Sequence, residues 1–206
     1  MTQEERARLT KEKILNAAMN EFSSRGYEGG TIGDICRTGI NKGLIYHYFS
    51  GKDDLYLTCM KISADAFVSY LEKERPAFTD QDAEKMISRY MSTRVRFFED
   101  YPEESRIFFE GLMAPPEELK EEISAILKPF TDLSREINQE AFSHIRLKKD
   151  ITPEMASQAF TLTQAMFNSY FGSPAMQGKS IDSRIELHEK TIPELLSIIL
   201  YGIAES

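Results

Sequence analysis

Lys42, Gly43, Tyr46 and His47 share one half of a helical wheel drawn at about 100° per residue, and Leu44, Ile45, Tyr48 and Phe49 share the other. The second set reads as core. The first, a cation, a glycine and two rings with polar tips, suits contact with a nucleic acid. Lys42 could reach a base edge or a phosphate, while Tyr46 and His47 could donate to phosphate oxygens or pack at a domain boundary. Gly43 costs about 1 kcal/mol relative to alanine in a helix. Close approach to a sugar–phosphate strand would offset that cost; simple easing of helix entry is the alternative. Lys52 follows at the start of the next helix, where the helix end and the ammonium group both attract phosphate. Thr31 stands at another helix start and suits the same contact while serving as an N-cap.

Catalytic chemistry has less to work with. The histidines are His47, His144 and His188. Glu140 and His144 could share a helical face, and Glu186 lies close to His188, but neither pair has the further ligands or nucleophile that metal or acid–base catalysis requires. No glycine loop of the phosphate-binding type is present. Cys36 and Cys59 are not in a Cys-x-x-Cys pair and read as small buried hydrophobes with free thiols. The expectation is therefore no enzyme, no cofactor and no metal.

The net charge of −8 opposes nucleic-acid binding until it is divided along the chain. Residues 1–52 carry eight Lys/Arg against six Asp/Glu, whereas the remainder carries 17 against 27. A local basic face is all that phosphate contact needs. The charged N-terminus lacks the apolar stretch of a signal peptide, and the apolar tail from Leu195 is about half a membrane span. The reading is a cytoplasmic protein without membrane contact.

The elements that position these residues are all helices. Apolar residues recur at helical spacing almost throughout, and alternation of the β kind is absent. Thr31-x-x-Asp34, Ser50-x-x-Asp53 and Thr79-x-x-Asp82 read as capping boxes with Asp in the Glu position, and Thr152-Pro153 starts a further helix. About nine helices are expected, at roughly 10–25, 32–38, 42–49, 53–74, 80–100, 103–113, 117–147, 153–172 and 182–203. Pro129 and Pro193 should bend or break the helices that contain them. In the first helix Leu15, Ala18, Met19 and Phe22 face inward, and Arg25-Gly26 ends it. The second and third helices, joined through Gly39, form a helix-turn-helix, which places its second helix in the major groove.

The stretch from Lys13 to Leu55 closely resembles the DNA-binding domain of the tetracycline-repressor (TetR) family. The resemblance rests on Lys-Ile-Leu-Asn-Ala-Ala-Met-Asn-Glu-Phe-Ser-Ser-Arg-Gly-Tyr, then Thr-Ile-Gly-Asp-Ile-Cys, then Asn-Lys-Gly-Leu-Ile-Tyr-His-Tyr-Phe-Ser-Gly-Lys-Asp-Asp-Leu. It covers about a quarter of the chain. Cys36 and Thr38 stand where the family usually has alanines, Asn41 replaces the usual Ser cap and Gly51 a common Ser. These departures bear on which operator is read, not on the fold.

The resemblance implies a helix-turn-helix domain over residues 1–52 and a helical ligand-sensing and dimerising domain over 53–206. It also implies a homodimer that binds a pseudo-palindromic operator in double-stranded DNA, and a repressor released by a small effector. Tyr90, Arg94, Phe97, Phe108, Met113, Phe130, Met166, Phe167 and Tyr170 are candidates to line a site for a largely apolar ligand; alternatively each is ordinary core. Gln164 and Asn168 add polar groups that could orient such a ligand. By family analogy the last two helices pair the protomers. Ala159, Phe160 and Thr163 belong to one, and Leu195, Leu196, Ile199, Leu200 and Ile203 to the other.

Overall fold

The computed structural model describes residues 2–80, 82–176 and 178–203, without the side chains of Tyr201 and Ile203. Ile203, expected in the apolar stripe of the last helix, therefore lies outside the described side chains. The described residues form α1 (Gln3–Gly29), α2 (Ile32–Cys36), α3 (Lys42–Tyr48), α4 (Lys52–Phe78), α5 (Ala83–Asp100), α6 (Pro102–Met113), α7 (Lys120–Ser143), α8 (Pro153–Gly172) and α9 (Ile181–Ile203). Short 3-10 turns at Glu117–Leu119 and Pro174–Met176 precede α7 and α9, and no sheet forms among these residues.

Local chemistry sets most helix ends. Thr2 and Glu5 form a reciprocal capping box that starts α1 a full two turns earlier than apolar periodicity suggests. Thr31 caps α2 and Thr152 caps α8, each hydroxyl accepting a backbone N–H three residues on. The other two expected boxes differ. α4 begins with Gly51 as N-cap, and Asp54 rather than Asp53 accepts from the Ser50 N–H, at 2.8 Å. Thr79 closes α4 by donating to the Arg75 carbonyl, and Asp82 caps α5. Pro129 and Pro193 are carried within continuous helices, as is Pro76. α7 stops at Ser143, short of the expected 147, because the His144 and Ile145 N–H groups turn back onto Ala141 and Phe142.

The helical half is built around α4, which packs on α1, α5, α6 and α7. Its Phe67 is fully buried among Phe97, Phe98, Phe108 and Phe130, with ring centroids 4.7–5.3 Å away. Offset and edge-on aromatic pairs of this kind add about 0.5–1.5 kcal/mol each beyond area burial. Elsewhere the backbones meet directly. A Cβ on Gly172 would lie 1.9 Å from the Met113 carbonyl oxygen, so α8 closes on α6 only because residue 172 has no side chain.

α1 breaks at Gly26, whose φ of 68° favours glycine, before one more turn to Gly29. The Glu110 carboxylate of α6 fills the space beside Gly26 and accepts the Tyr27 N–H at 2.9 Å and the Tyr56 hydroxyl at 2.8 Å. The helix break is thus satisfied by a side chain from the other half of the molecule. Burial pushes the Glu110 carboxyl above its ordinary range, against the hydrogen bonds from Tyr27 and Tyr56.

Candidate functional site

In α3 only Ile45 is fully buried, and Phe49 just beyond it is 3% exposed. These two anchor the helix to the core. Lys42, Gly43, Tyr46 and His47 are exposed, and the structure brings them together on the outer face of a seven-residue helix. Lys42 Nζ lies 5.9 Å from the Tyr46 ring centroid, and the His47 ring is edge-on to Tyr48 at 4.9 Å. Leu44, placed inward by the wheel, is 38% exposed. So short a helix has room for only one complete inward contact, and Leu44 joins the outer face. An exposed apolar side chain there matches a thymine methyl group. A wheel drawn over seven residues gives no signal of this.

Gly43 has a local reason. Asn41 Oδ1 accepts its N–H at 2.8 Å, and a Cβ at position 43 would meet that oxygen at 3.2 Å. The Thr31 hydroxyl is committed locally, accepting from Asp34 N and donating to Asp34 Oδ2 at 2.8 Å. Asp34 is also paired with Arg37 and, at 3.7 Å, with Arg25. The Thr31 bond and the two guanidinium groups hold its carboxyl below the usual range.

Lys52 opens α4 and is half-buried. Its Nζ lies 4.2 Å from the centroid of Tyr27, whose hydroxyl donates to Asp53 Oδ1 at 2.7 Å. The α4 N-terminus has no side-chain cap, so its first N–H groups remain available beside an ammonium group held on an aromatic face. Tyr27 was not singled out by the sequence, because nothing in spacing links it to Lys52.

The residues expected around a ligand do not form one lining. Arg94 and Phe130 border a cavity of about 120 Å³ between α5, α7, α8 and α9, along with Gln164 and Asn168. Tyr90, Phe97, Phe108 and Met113 are buried packing residues. Met166 is 75% and Tyr170 49% exposed, so both lie on the outer face of α8, while Phe167 is half-buried against His188. The apolar repeat along α8 marks two adjoining faces, one inside and one outside. For the same reason Phe160, expected on the pairing surface, is buried against Phe142 at 5.3 Å. Leu196 and Leu200 of α9 are buried too, Thr163, Leu195 and Ile199 are half-buried, and Ala159 is exposed. Met155, Leu162, Leu187 and Ile198 are exposed apolar side chains of α8 and α9 that the periodicity does not single out.

A buried polar network crosses this half. Arg94, 2% exposed, donates from Nε and Nη2 to Glu189 at 3.2 and 2.8 Å. Four rings, of Phe67, Tyr90, Phe98 and Phe130, lie 5.7–5.9 Å from its Cζ. His188 is fully buried, with Nδ1 2.8 Å from Glu189 Oε1 and Nε2 2.8 Å from Asn168 Oδ1. Its carboxylate partner is Glu189, not Glu186. Burial alone would raise the Glu189 carboxyl, but Arg94 and His188 outweigh it and hold it low. Burial depresses the imidazole below its ordinary 6.5. Glu140, the other expected histidine neighbour, is taken by Arg75 at 3.0 Å. Among the described residues no group of three His, Cys, Asp or Glu side chains could hold a metal ion, and no helix is long and apolar enough to cross a membrane. Both thiols are free, and burial pushes that of Cys59 up to about 12.

Comparison with known proteins agrees with this arrangement. The profile of the bacterial regulatory proteins of the tetR family matches residues 14–59, which span the end-to-end run from mid-α1 into α4. The HTH-type transcriptional regulator RutR of Escherichia coli strain K12 is 29% identical over 123 residues, 59% of this chain and 57% of that protein. The biofilm operon icaADBC HTH-type negative transcriptional regulator IcaR of Staphylococcus epidermidis is 26% identical over 114 residues, 55% of this chain and 58% of that one. The chain thus spans little more than half the length of these curated relatives. Among solved structures, the transcriptional regulator FadR of Bacillus subtilis in complex with stearoyl-CoA superposes with a TM-score of 0.64 at 19% identity, covering 94% of this chain and 99% of that one. A TetR family regulator of Chloroflexus aurantiacus gives 0.63 at 17% identity, covering 97% and 95%. The family profile lies on the helix-turn-helix, where the chain is similar to the tetR family of bacterial regulatory proteins, and the fold of the helical half is that of these solved regulators.

Proposed function

We propose that this protein is a dimeric, sequence-specific DNA-binding transcriptional regulator, a repressor released from a pseudo-palindromic operator by a small effector with an apolar body. Residues 1–52 form the DNA-binding unit and residues 53–206 the sensing and pairing unit. The observation that carries the reading is the outer face of α3: Lys42, Gly43, Tyr46 and His47 stand exposed while Ile45 and Phe49 hold the helix to the core. Lys42 reads a base edge, Tyr46 and His47 fix register on phosphates, and Lys52 meets a phosphate at the α4 N-terminus with Thr31 at the edge of the contact. That IcaR is a negative transcriptional regulator supports repression. The exposed apolar side chains of α8 and α9, Met155, Leu162, Met166, Tyr170, Leu187 and Ile198, support pairing through those helices. Ala159, Thr163, Leu195 and Ile199 border that surface. A two-fold dimer sets the recognition helices about 34 Å apart.

Selection of bound sites from a random duplex pool, at a stated salt concentration, tests the reading. Recovery of an inverted repeat with half-sites about 10 base pairs apart is the expected result. Salt-sensitive binding without an enriched motif would overturn sequence specificity.

A further inference from the structure

The 120 Å³ cavity has an electrostatic character unlike the rest of the chain. Its lining contains two guanidinium groups, Arg94 paired with Glu189 and Arg135 paired with Asp132, and both carboxylates lie outside the lining. Ser134, Asn138, Gln164 and Asn168 supply hydroxyl and amide groups. Asn138 is 2% exposed, and its side-chain oxygen has no hydrogen-bond partner. An unsatisfied buried acceptor costs about 1–3 kcal/mol, and because a carboxylate has no hydrogen to donate, the Asn138 amide meets one only with its NH₂ turned to the cavity. The larger cavity on the other side of the Arg94–Glu189 pair, about 530 Å³, is bordered by Glu99, Asp182, Glu186 and Glu189 against Lys190 alone, and so repels anions.

We infer that the smaller cavity binds a compact carboxylate on Arg94, and that one proton enters with it and resides on His188. Charge balance requires the second half of that statement. Arg94 and Glu189 already neutralise one another, as do Arg135 and Asp132, so an added carboxylate would leave an uncompensated negative charge in the interior. Protonated His188 restores neutrality. The hydrogen-bond geometry accommodates it: Glu189 can only accept, so Nδ1 carries a proton in either state. Nε2 faces Asn168 Oδ1, which suits an imidazolium donating from both nitrogens. A neutral ring needs the Asn168 amide turned so that its NH₂ faces Nε2. Protonation therefore frees that NH₂, on a residue that itself lines the cavity, to donate to the carboxylate. The described groups facing the ring are Glu189 on its own helix, Arg94 from α5, Asn168, Phe167 and Phe171 from α8, and Phe109 from α6; of these only Glu189 and Arg94 are charged.

The inference rests on the effector reading above for its regulatory consequence, since Glu189 and His188 lie on α9, a pairing helix of that reading. The test needs no DNA, so its failure and the failure of DNA recognition are separable. Isothermal calorimetry on the full chain would titrate butanoate, benzoate and the matching amides at fixed ionic strength, in buffers of different ionisation enthalpy. The acids should bind and the amides should not, with uptake approaching one proton near neutrality and affinity falling about tenfold per pH unit above that. His188→Gln should abolish the uptake. The double variant Arg94→Gln/Glu189→Gln, which leaves no stranded buried charge, should lose the acids. Equal binding of amides, binding of acids without proton uptake, acid binding retained in the double variant, or no heat from either acid would each overturn the proposal.

Discussion

Lys42 and Lys52 carry the same charge in different surroundings, and their substitutions should separate accordingly. Lys42 is exposed on the outward side of α3, whereas Lys52 sits on the Tyr27 ring at the start of α4. Lys52→Ala should weaken binding to operator and random DNA alike and lower the salt slope by about one ion, measured by titration across salt concentrations. Lys42→Ala should cost about 1–3 kcal/mol on the operator and relax base preference at one position. Equal losses on both DNAs would assign Lys42 to a phosphate. His188 makes a stability prediction at the same scale. Its folded pKa lies below 6.5, so as pH falls the unfolded chain takes up the proton first, and stability is lost through the window below the ordinary value. Melting curves between about pH 5 and 7 should show this slope, and His188→Gln should flatten it.

Gly26 and Glu110 matter through the helices they join. The bend in α1 needs a positive φ, and the carboxylate from α6 occupies the space a side chain would take: a Cβ at Gly26 would lie 2.4 Å from Glu110 Oε1. Gly26→Ala should therefore destabilise the protein by more than the roughly 1 kcal/mol of backbone strain alone. Glu110→Ala should leave the Tyr27 N–H and the Tyr56 hydroxyl unpaired, costing about 1–3 kcal/mol in denaturant titrations. It should also lower DNA affinity, because Tyr27 supports Lys52. DNA affinity unchanged after correction for unfolded protein would show that the α1–α6 contact does not position the reading head.

At the scale of the molecule, α8 and α9 each show one face to the core and another to solvent. Leu162 and Met166 lie outward at 57% and 75% exposure, so charging them should leave the protomer's own stability nearly unchanged. Leu162→Glu should instead halve the mass seen by sedimentation equilibrium and reduce operator affinity, since one recognition helix then binds without its partner. A dimer that persists would place the pairing surface elsewhere.

Hydrophobic periodicity, capping residues and the ordered spacing from Lys13 to Leu55 were enough to read an all-helical chain with a helix-turn-helix, because those signals are local. The outward set on α3 was legible for the same reason: the 3.6-residue period decides which side chains share a face. The helix period does not decide how many faces are buried. Phe160 and Met166 belong to one apolar repeat along α8, yet the first packs on Phe142 and the second meets solvent. Arg94 and Glu189 are 95 residues apart, and no pattern in the chain pairs a guanidinium on α5 with a carboxylate on α9. Nor could spacing reveal that Tyr27 lies under Lys52 or that Glu110 fills the break at Gly26. Such contacts arise from helix packing across the molecule, where side chains distant in sequence become the only partners available to buried charge and to broken backbone.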